Sequence, residues 1–290
     1  MNSTDPPIPG FPDSAAAATS RPRGWRNALS WARSIFFFDP LIYLYTVALG
    51  PVSLFCSLFD REGRIQHKFV RLWSRLILAT IFSPVTVEGL DRLDTSKPYM
   101  YASNHLSAMD IPVIYAHLPV QFRVMAKIEL FSYPVVGWHL RRSQQLAIER
   151  DNALASMRSL NRAAETLKAG TPLLVFPEGG RSANGQVKPF LPGVFYAAIK
   201  AQAEVVPMAL VGLYELLPMN TYHIRSRPLQ MLVGAPIPSA GYSTREADKL
   251  AAVVEKAVAE LYYSRAEVPR PAADAAAPAE QAVPSSSNPV

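Results

Sequence analysis

Cys56 is the only cysteine in this 290-residue chain, so no intramolecular disulfide can form, and nothing beside it completes a metal-ligand spacing. The five histidines stand at 67, 105, 117, 139 and 223, and no two have the spacing of zinc ligands. Neither G-x-x-x-x-G-K-[ST] nor G-x-G-x-x-G occurs, which removes nucleotide binding by those modes. The G-x-S-x-G nucleophile elbow is missing too, and with it the usual serine hydrolase of an α/β fold. Charge is also scarce: 18% of residues are charged and 49% are hydrophobic, more apolar than an ordinary cytosolic enzyme. That balance points to contact with lipid. The net charge of +6 would suit nucleic acid, an anionic membrane or a phosphate-bearing substrate, so the placement of the charges has to decide.

Long uninterrupted apolar runs are lacking as well. The most hydrophobic stretch, "SIFFFDPLIYLYTVALGPVSLFCSLF" (residues 34–59), is broken at Asp39-Pro40 and again at Gly50-Pro51. Its unbroken piece, residues 41–49, falls well short of the ~20 residues that a transmembrane helix needs. Basic residues lie on both sides, Arg21, Arg23, Arg26 and Arg33 before it and Arg61, Arg64, Lys68, Arg71 and Arg75 after it. Both flanks therefore prefer the cytoplasmic side. A hairpin dipping into one leaflet with Gly50-Pro51 at its tip satisfies these observations, and one tilted span is the second reading. The following "RIQHKFVRLWSRLILATIF" repeats Ile65, Phe69, Leu72, Trp73, Leu76 and Leu78 at roughly helical spacing, which fits an interfacial helix or a helix packed on the domain. His67 on it reads as a solvated polar residue.

From about residue 85 short apolar runs alternate with helical patterns. "PYMYAS", "QFRVMA", "QQLAIE", "PLLVF", "VVPMALVG" and "LQMLVG" read as buried strands. "DNALASMRSLNRAAETLKAG" puts Leu154, Met157, Leu160, Ala164 and Leu167 on one helical face and ends in a glycine suited to a C-cap. "STREADKLAAVVEKAVAELYYSR" opens with Ser243 and Glu246 at capping-box spacing and carries Leu250, Val254, Ala257, Val258 and Leu261 inward. The alternation predicts an α/β layered fold, a largely parallel mixed sheet flanked by helices, with an N-terminal membrane-associated helical hairpin. Four divisions follow: an unstructured tail at 1–22, a membrane-associated helical segment at 23–82, the α/β domain at 83–265, and a Pro/Ala-rich tail at 266–290 without apolar periodicity. Prolines and an acid precede any apolar run at the start of the chain, unlike a secretory signal.

Three strand ends carry unusual polar residues, and such ends gather the active sites of α/β folds. "YMYAS" runs into Asn104-His105, with Asp110 in the turn beyond; "PLLVF" ends in "PEGGRS"; "QLAIE" ends at Arg150. Five positions rotate two residues by about 140° on an ideal helix, so His105 and Asp110 can meet if the histidine stands in the loop and the aspartate in the first turns of the helix, the bland alternative being a structural histidine and a helix-start acid. The carboxylate would then hold one ring nitrogen and leave the other as a base. In "FPEGGRS" the glycines allow close approach to a ligand, with Glu178 for hydroxyls and Arg181 for a phosphate. A base without a protein nucleophile suggests direct attack by a substrate hydroxyl.

Together these blocks resemble the glycerolipid acyltransferase family, within it the acyltransferases of 1-acyl-glycerol-3-phosphate, from about residue 72 to 235. Asn104, His105 and Asp110 match its NHxxxxD block; "IER", ending at Arg150, its I-D-R strand; residues 176–182 its FPEGTRS block; residues 206–209 its V-P-V-A strand. The resemblance implies that His105 is the general base and Asp110 its orienting partner. The free sn-2 hydroxyl of 1-acyl-glycerol-3-phosphate then attacks an acyl thioester, on CoA or acyl carrier protein, without a covalent acyl-enzyme, giving phosphatidic acid for phospholipid biosynthesis. It places Lys127, Arg150, Glu178, Gly179 and Arg181 at the substrate, with Lys127 and Arg181 gripping the phosphate, and requires no cofactor or metal. Two residues depart from the pattern: Glu149 replaces the usual aspartate, and Gly180 a common threonine. "EGGRS" also resembles the glycerol-3-phosphate acyltransferases, which leaves glycerol-3-phosphate or another lysolipid open as acceptor, and a non-catalytic lipid-binding protein of the same fold is the rival from another class. "KPFLPG" resembles a further family stretch, or reads simply as a loop leading into a helix near residues 194–200. The partners so implied are lysophosphatidic acid, acyl-CoA or acyl carrier protein and an anionic membrane surface at the cytoplasmic face, with no nucleic acid.

Overall fold

The computed structural model describes residues 24–60, 62–149 and 152–271. The expected tail at 1–22, most of that at 266–290, and Arg150 lie outside them. The chain opens with helix α1 (Gly24–Arg33), a π-helical turn Ser34–Phe38, α2 (Asp39–Cys56) and α3 (Arg64–Thr80). Strands and helices then alternate: β1 (Val85–Glu88), β2 (Met100–Ser103), α4 (Asp110–His117), β3 (Arg123–Lys127), α5 (Val136–Arg142), β4 (Leu146–Ile148), α6 (Ala153–Lys168) and β5 (Leu173–Val175). The remainder is α7 (Phe195–Ala201), β6 (Val205–Val211), α8 (Leu213–Leu216), β7 (Leu229–Val233) and α9 (Ala247–Tyr263). All six strands expected from the apolar runs form, and "VTVE" adds β1.

The seven strands make one sheet in the order β1-β7-β6-β2-β5-β3-β4, with every pair parallel except β6 against β7. Alternation along the strands feeds two cores. Tyr101 and Leu174 face one that α3 and α4 close with Ile77, Val113 and Ile114, whereas Met100, Ala102 and Val175 face another closed by Leu160 of α6, Phe195 of α7 and Val254 of α9. The link from β2 through α4 to β3 therefore covers one face, and the link from β5 through α7 to β6 covers the other. Neighbouring β2 and β5 send their chains in opposite directions, which opens a crevice at their carboxyl ends.

The N-terminal segment departs from the expected hairpin. Gly50-Pro51 is not a tip: residues 27–59 run as one helical stretch of 33 residues. Pro40 follows directly on the π-helical turn Ser34–Phe38, and it and Pro51 each forfeit only one helical bond inside a long run whose propagation continues on both sides. Reversal comes instead between Asp60, which accepts the backbone N–H groups of Glu62 and Ile65, and Gly63, which takes φ +69°. Trp73 Nε1 donates to Thr46 Oγ1 at 2.9 Å, so α3 packs back along α2. Its Arg71 is not a free basic flank, for it donates to the carbonyls of Tyr115 and Leu118 at 3.2 and 2.6 Å and caps the end of α4.

Two side-chain expectations also change. On α6 the buried face is Ser159, Leu160, Ala163, Ala164 and Leu167, while Leu154 and Met157 stay exposed. The capping box of Ser243 and Glu246 and the inward Leu250, Val254 and Val258 of α9 are as expected. His67 is not solvated. Only 7% of it is exposed, and its ring lies edge-on to Phe122 at 5.1 Å. Burial first, then the Arg71 and Arg123 charges, push its pKa down to about 4.

A histidine whose folded pKa lies below its unfolded value binds fewer protons when folded, so stability falls as pH drops through the unfolded value near 6.5 toward 4. Lowering the pH from 7.5 to 5 should therefore cost about 2 kcal/mol through His67. Denaturant titrations of wild type and His67→Phe at both pH values check this: the variant should lose that share of the acid sensitivity, and equal slopes would refute the assignment.

Candidate functional site

Strand β2 delivers the site. Beyond its last ladder pair, Ser103 with Met208, the Asn104 side chain takes over the pairing: Nδ2 donates to Leu210 O at 3.1 Å and Oδ1 accepts from Leu210 N at 2.8 Å. The strand is thereby clamped to β6 just before the chain turns away. His105 stands in the loop and Asp110 is the first residue of α4, the arrangement in which their spacing lets them meet.

Asp110 is completely buried. Its Oδ2 accepts from His105 Nδ1 at 2.6 Å, Leu106 N at 2.7 Å and Ser107 N at 3.1 Å. A carboxylate can only accept here, so Nδ1 carries the proton and the Nε2 lone pair points away from the aspartate. The imidazole stacks on Phe176, with centroids 4.1 Å apart and planes at 22°. About a fifth of the His105 side chain reaches solvent. A fixed, half-open base with a defined free nitrogen results, suited to taking a proton from a hydroxyl.

Across the crevice the loop after β5 is tied to the same histidine. His105 N donates to Glu178 Oε1 at 3.0 Å, and Ser182 N donates to His105 O at 2.8 Å. The loop turns at Gly179, whose φ of +76° favours glycine and whose N–H bonds Phe176 O at 3.1 Å. Burial raises the Glu178 carboxyl to about 8, against the smaller opposing effect of its hydrogen bonds and Lys188, so at neutral pH it is mostly a neutral acid. Its Oε2 has no partner among the described residues. Lys188, part of the "KPFLPG" stretch, donates from Nζ to Gly180 O at 3.0 Å. Half-buried Arg181, in the same loop, makes no hydrogen bond or ion pair with the described residues.

The crevice thus unites His105, Asp110, Glu178, Gly179 and Arg181. Lys127 sits at the same sheet edge, at the end of β3, with β5 lying between it and β2, a separation of about 10 Å at sheet spacing. It is exposed and ion-paired with Glu129 at 2.8 Å. Arg150 lies outside the described residues. Sequence reasoning assigned no task to Asn104, Phe176 or Lys188; an asparagine directly at a strand end was the available signal for the first, whereas the other two declare themselves only through contacts across the crevice. Among the described residues no three His, Cys, Asp or Glu side chains form a metal-binding group.

Behind the site lies an apolar cavity of about 370 Å³ bounded by Leu49 and Leu54 of α2, Trp73 of α3, Tyr115 of α4, Val124 of β3 and Leu140 of α5. Ile111, the residue after Asp110, belongs to its wall.

Comparison with known proteins agrees with this fold. The Acyltransferase family profile matches residues 84–211. A 1-acyl-sn-glycerol-3-phosphate acyltransferase of Chlamydomonas reinhardtii is 30% identical over 241 residues, 80% of this chain and 70% of that protein. Chloroplastic counterparts from Brassica napus and Arabidopsis thaliana are each 31% identical over 63% of this chain, which spans only 54% and 52% of their lengths. The crystal structure of the 1-acyl-sn-glycerophosphate (LPA) acyltransferase PlsC from Thermotoga maritima superposes with a TM-score of 0.67 at 28% identity, covering 81% of this chain and 94% of that one. With its fold, its matched profile and these relatives, the chain belongs to the glycerolipid acyltransferase family.

Proposed function

We propose that the protein acylates the sn-2 hydroxyl of 1-acyl-glycerol-3-phosphate with an acyl group from a thioester of CoA or acyl carrier protein, giving phosphatidic acid for phospholipid synthesis. The observation that carries this reading is the buried contact of Asp110 with His105 Nδ1, which leaves Nε2 as the base. Nε2 takes the hydroxyl proton while the oxygen bonds to the thioester carbonyl. The tetrahedral adduct collapses with cleavage of the C–S bond, and the departing thiolate takes the proton back from Nε2. No covalent acyl-enzyme and no cofactor are needed. Arg181, without a partner among the described residues, supplies a cation for the acceptor phosphate, with Lys127 further along the edge and Arg150 as the remaining cations of that assignment. Neutral Glu178 offers a donor O–H to an acceptor oxygen, and Gly179 lets the ligand approach the backbone.

The apolar cavity beside α4 fits the fatty chain, because a hydrocarbon tail gains most where no polar group is desolvated. Membrane attachment fits α2. Ser30 Oγ pairs with His223 Nε2 at 2.8 Å, Trp31 stacks on the same ring, and Ser34 bonds Tyr222 O at 2.8 Å, while Leu49 and Leu54 share the cavity with α5. A helix of about 50 Å docked to the same domain near both ends favours lying in one leaflet over crossing the bilayer. Exposed Arg64, Lys68 and Arg75 favour an anionic, cytoplasmic surface.

Purified protein given an acyl thioester with lysophosphatidate, glycerol-3-phosphate or an uncharged monoacylglycerol separates the acceptors and the non-catalytic alternative. Lysophosphatidate should turn over fastest; His105→Ala should lower kcat by ~10² to 10⁴, and Arg181→Ala should raise KM for the phosphorylated acceptors only. A His105→Ala enzyme as fast as wild type would sink the mechanism.

Glu178 should switch the rate near its pKa of about 8. Above it the donor proton is lost and a second carboxylate charge faces Asp110, so kcat/KM should fall in wild type. Glu178→Gln, which stays neutral, should keep its rate through that range; an identical alkaline decline in both enzymes would clear Glu178 of the role.

Gly50 lines the cavity, and a Cβ built on it meets nothing within 4 Å. Gly50→Phe should shift donor preference toward shorter acyl chains while helix propensity gains about 0.5 kcal/mol. An unchanged chain-length profile would place the acyl tail elsewhere.

A further inference from the structure

A second apolar surface lies beside α2 in residues 128–138. Ile128, Leu130, Tyr133, Val135, Val136 and Trp138 are 40, 41, 58, 48, 50 and 57% exposed, a density of large apolar side chains that an aqueous loop does not keep. The backbone is built to turn them outward. Phe131 is buried as the anchor, and Gly137 packs so closely on it that a Cβ would stand 2.1 Å from Phe131 O. Val135 takes φ +63°, a conformation strained for a β-branched residue.

This surface is continuous with the lipid-facing helix. Leu130, Val135 and Val136 share the walls of the apolar cavity with Leu49, Gly50 and Leu54 of α2, and Val52 and Phe55 of α2 are also exposed. Exposed Arg141 and Arg142 close α5 immediately behind the patch. Tyr and Trp at the margin of an aliphatic surface, backed by arginines, match the chemistry of an anionic bilayer interface. The one acid within the patch, Glu129, is ion-paired with Lys127.

We infer that residues 128–138 are a second membrane-inserting surface, which enters the same leaflet as α2 and flanks the cavity. The inference rests on the membrane reading of α2. A lipid tail could then pass between leaflet and cavity along α2 and α5 without crossing water.

The single cysteine makes a test direct. In a Cys56→Ser background, an environment-sensitive fluorophore is placed by Val136→Cys on the patch, by Phe55→Cys on α2 and by Ala252→Cys on exposed α9. The full chain is then mixed with equimolar phosphatidylglycerol–phosphatidylethanolamine vesicles carrying spin-labelled quencher lipids. Probes at 136 and 55 should shift to the blue and be quenched while the probe at 252 stays aqueous, and Trp138→Glu should weaken vesicle partitioning on the order of tenfold. A buried probe at 55 with an aqueous one at 136 overturns this inference and leaves the α2 anchor standing. Aqueous probes at both positions remove the anchor as well. A blue shift at 136 without vesicles that grows with protein concentration would assign the patch to a second copy of the chain instead.

Discussion

The fully buried Asp110 carboxylate organises the crevice at the carboxyl end of β2. One oxygen accepts the His105 imidazole and two consecutive backbone N–H groups, so one atom shapes the loop, starts α4 and selects the tautomer of the base. Multiple donors converging on one buried carboxylate oxygen hold it more firmly than a single contact could. The clamp of Asn104 on Leu210 performs the complementary task on the strand side. Between them the turn from β2 to α4 has little freedom, and the imidazole is set before any ligand arrives.

Sheet topology supplies the opposing wall. Because β2 and β5 are neighbours whose chains leave over opposite faces, Phe176 and Glu178 reach the same histidine that β2 carries. The ring is stacked, its backbone N–H is held by a carboxyl and its carbonyl by Ser182. Apolar packing on α4 continues directly into the cavity, so the His105–Asp110 pair and the apolar cavity lie at the start of one helix. The N-terminal helices complete that cavity, so the long apolar helix and the start of α4 share its walls.

Much was legible beforehand. Apolar runs of four to eight residues located six strands, and capping and C-cap signals located α6 and α9, since both depend on neighbours in sequence. Helical rotation showed that His105 and Asp110 do not share one helical face, and their position at a strand end, with the downstream blocks, pointed to a histidine in the loop and an aspartate in the helix. Less legible was anything set by the far partner. Gly50-Pro51 looked like a turn, yet helix propagation carries through it; His67 looked solvated, yet aromatic rings of α4 and the β3 approach enclose it. Lys127 was grouped with Arg181 by motif, while its ion pair with Glu129 depends on the turn after β3.

Local chemistry in the sequence by itself determined the alternating α/β order, the capped helices and the apolar N-terminal helix, because each rests on periodicity or on residues a few positions apart. Tertiary structure alone decided which strand ends meet, how burial makes Glu178 a neutral acid, where the helical hairpin reverses and which apolar side chains remain uncovered. Those outcomes turn on desolvation and on contacts between residues as far apart as His105 and Glu178, and such energies exist only once the sheet has assembled.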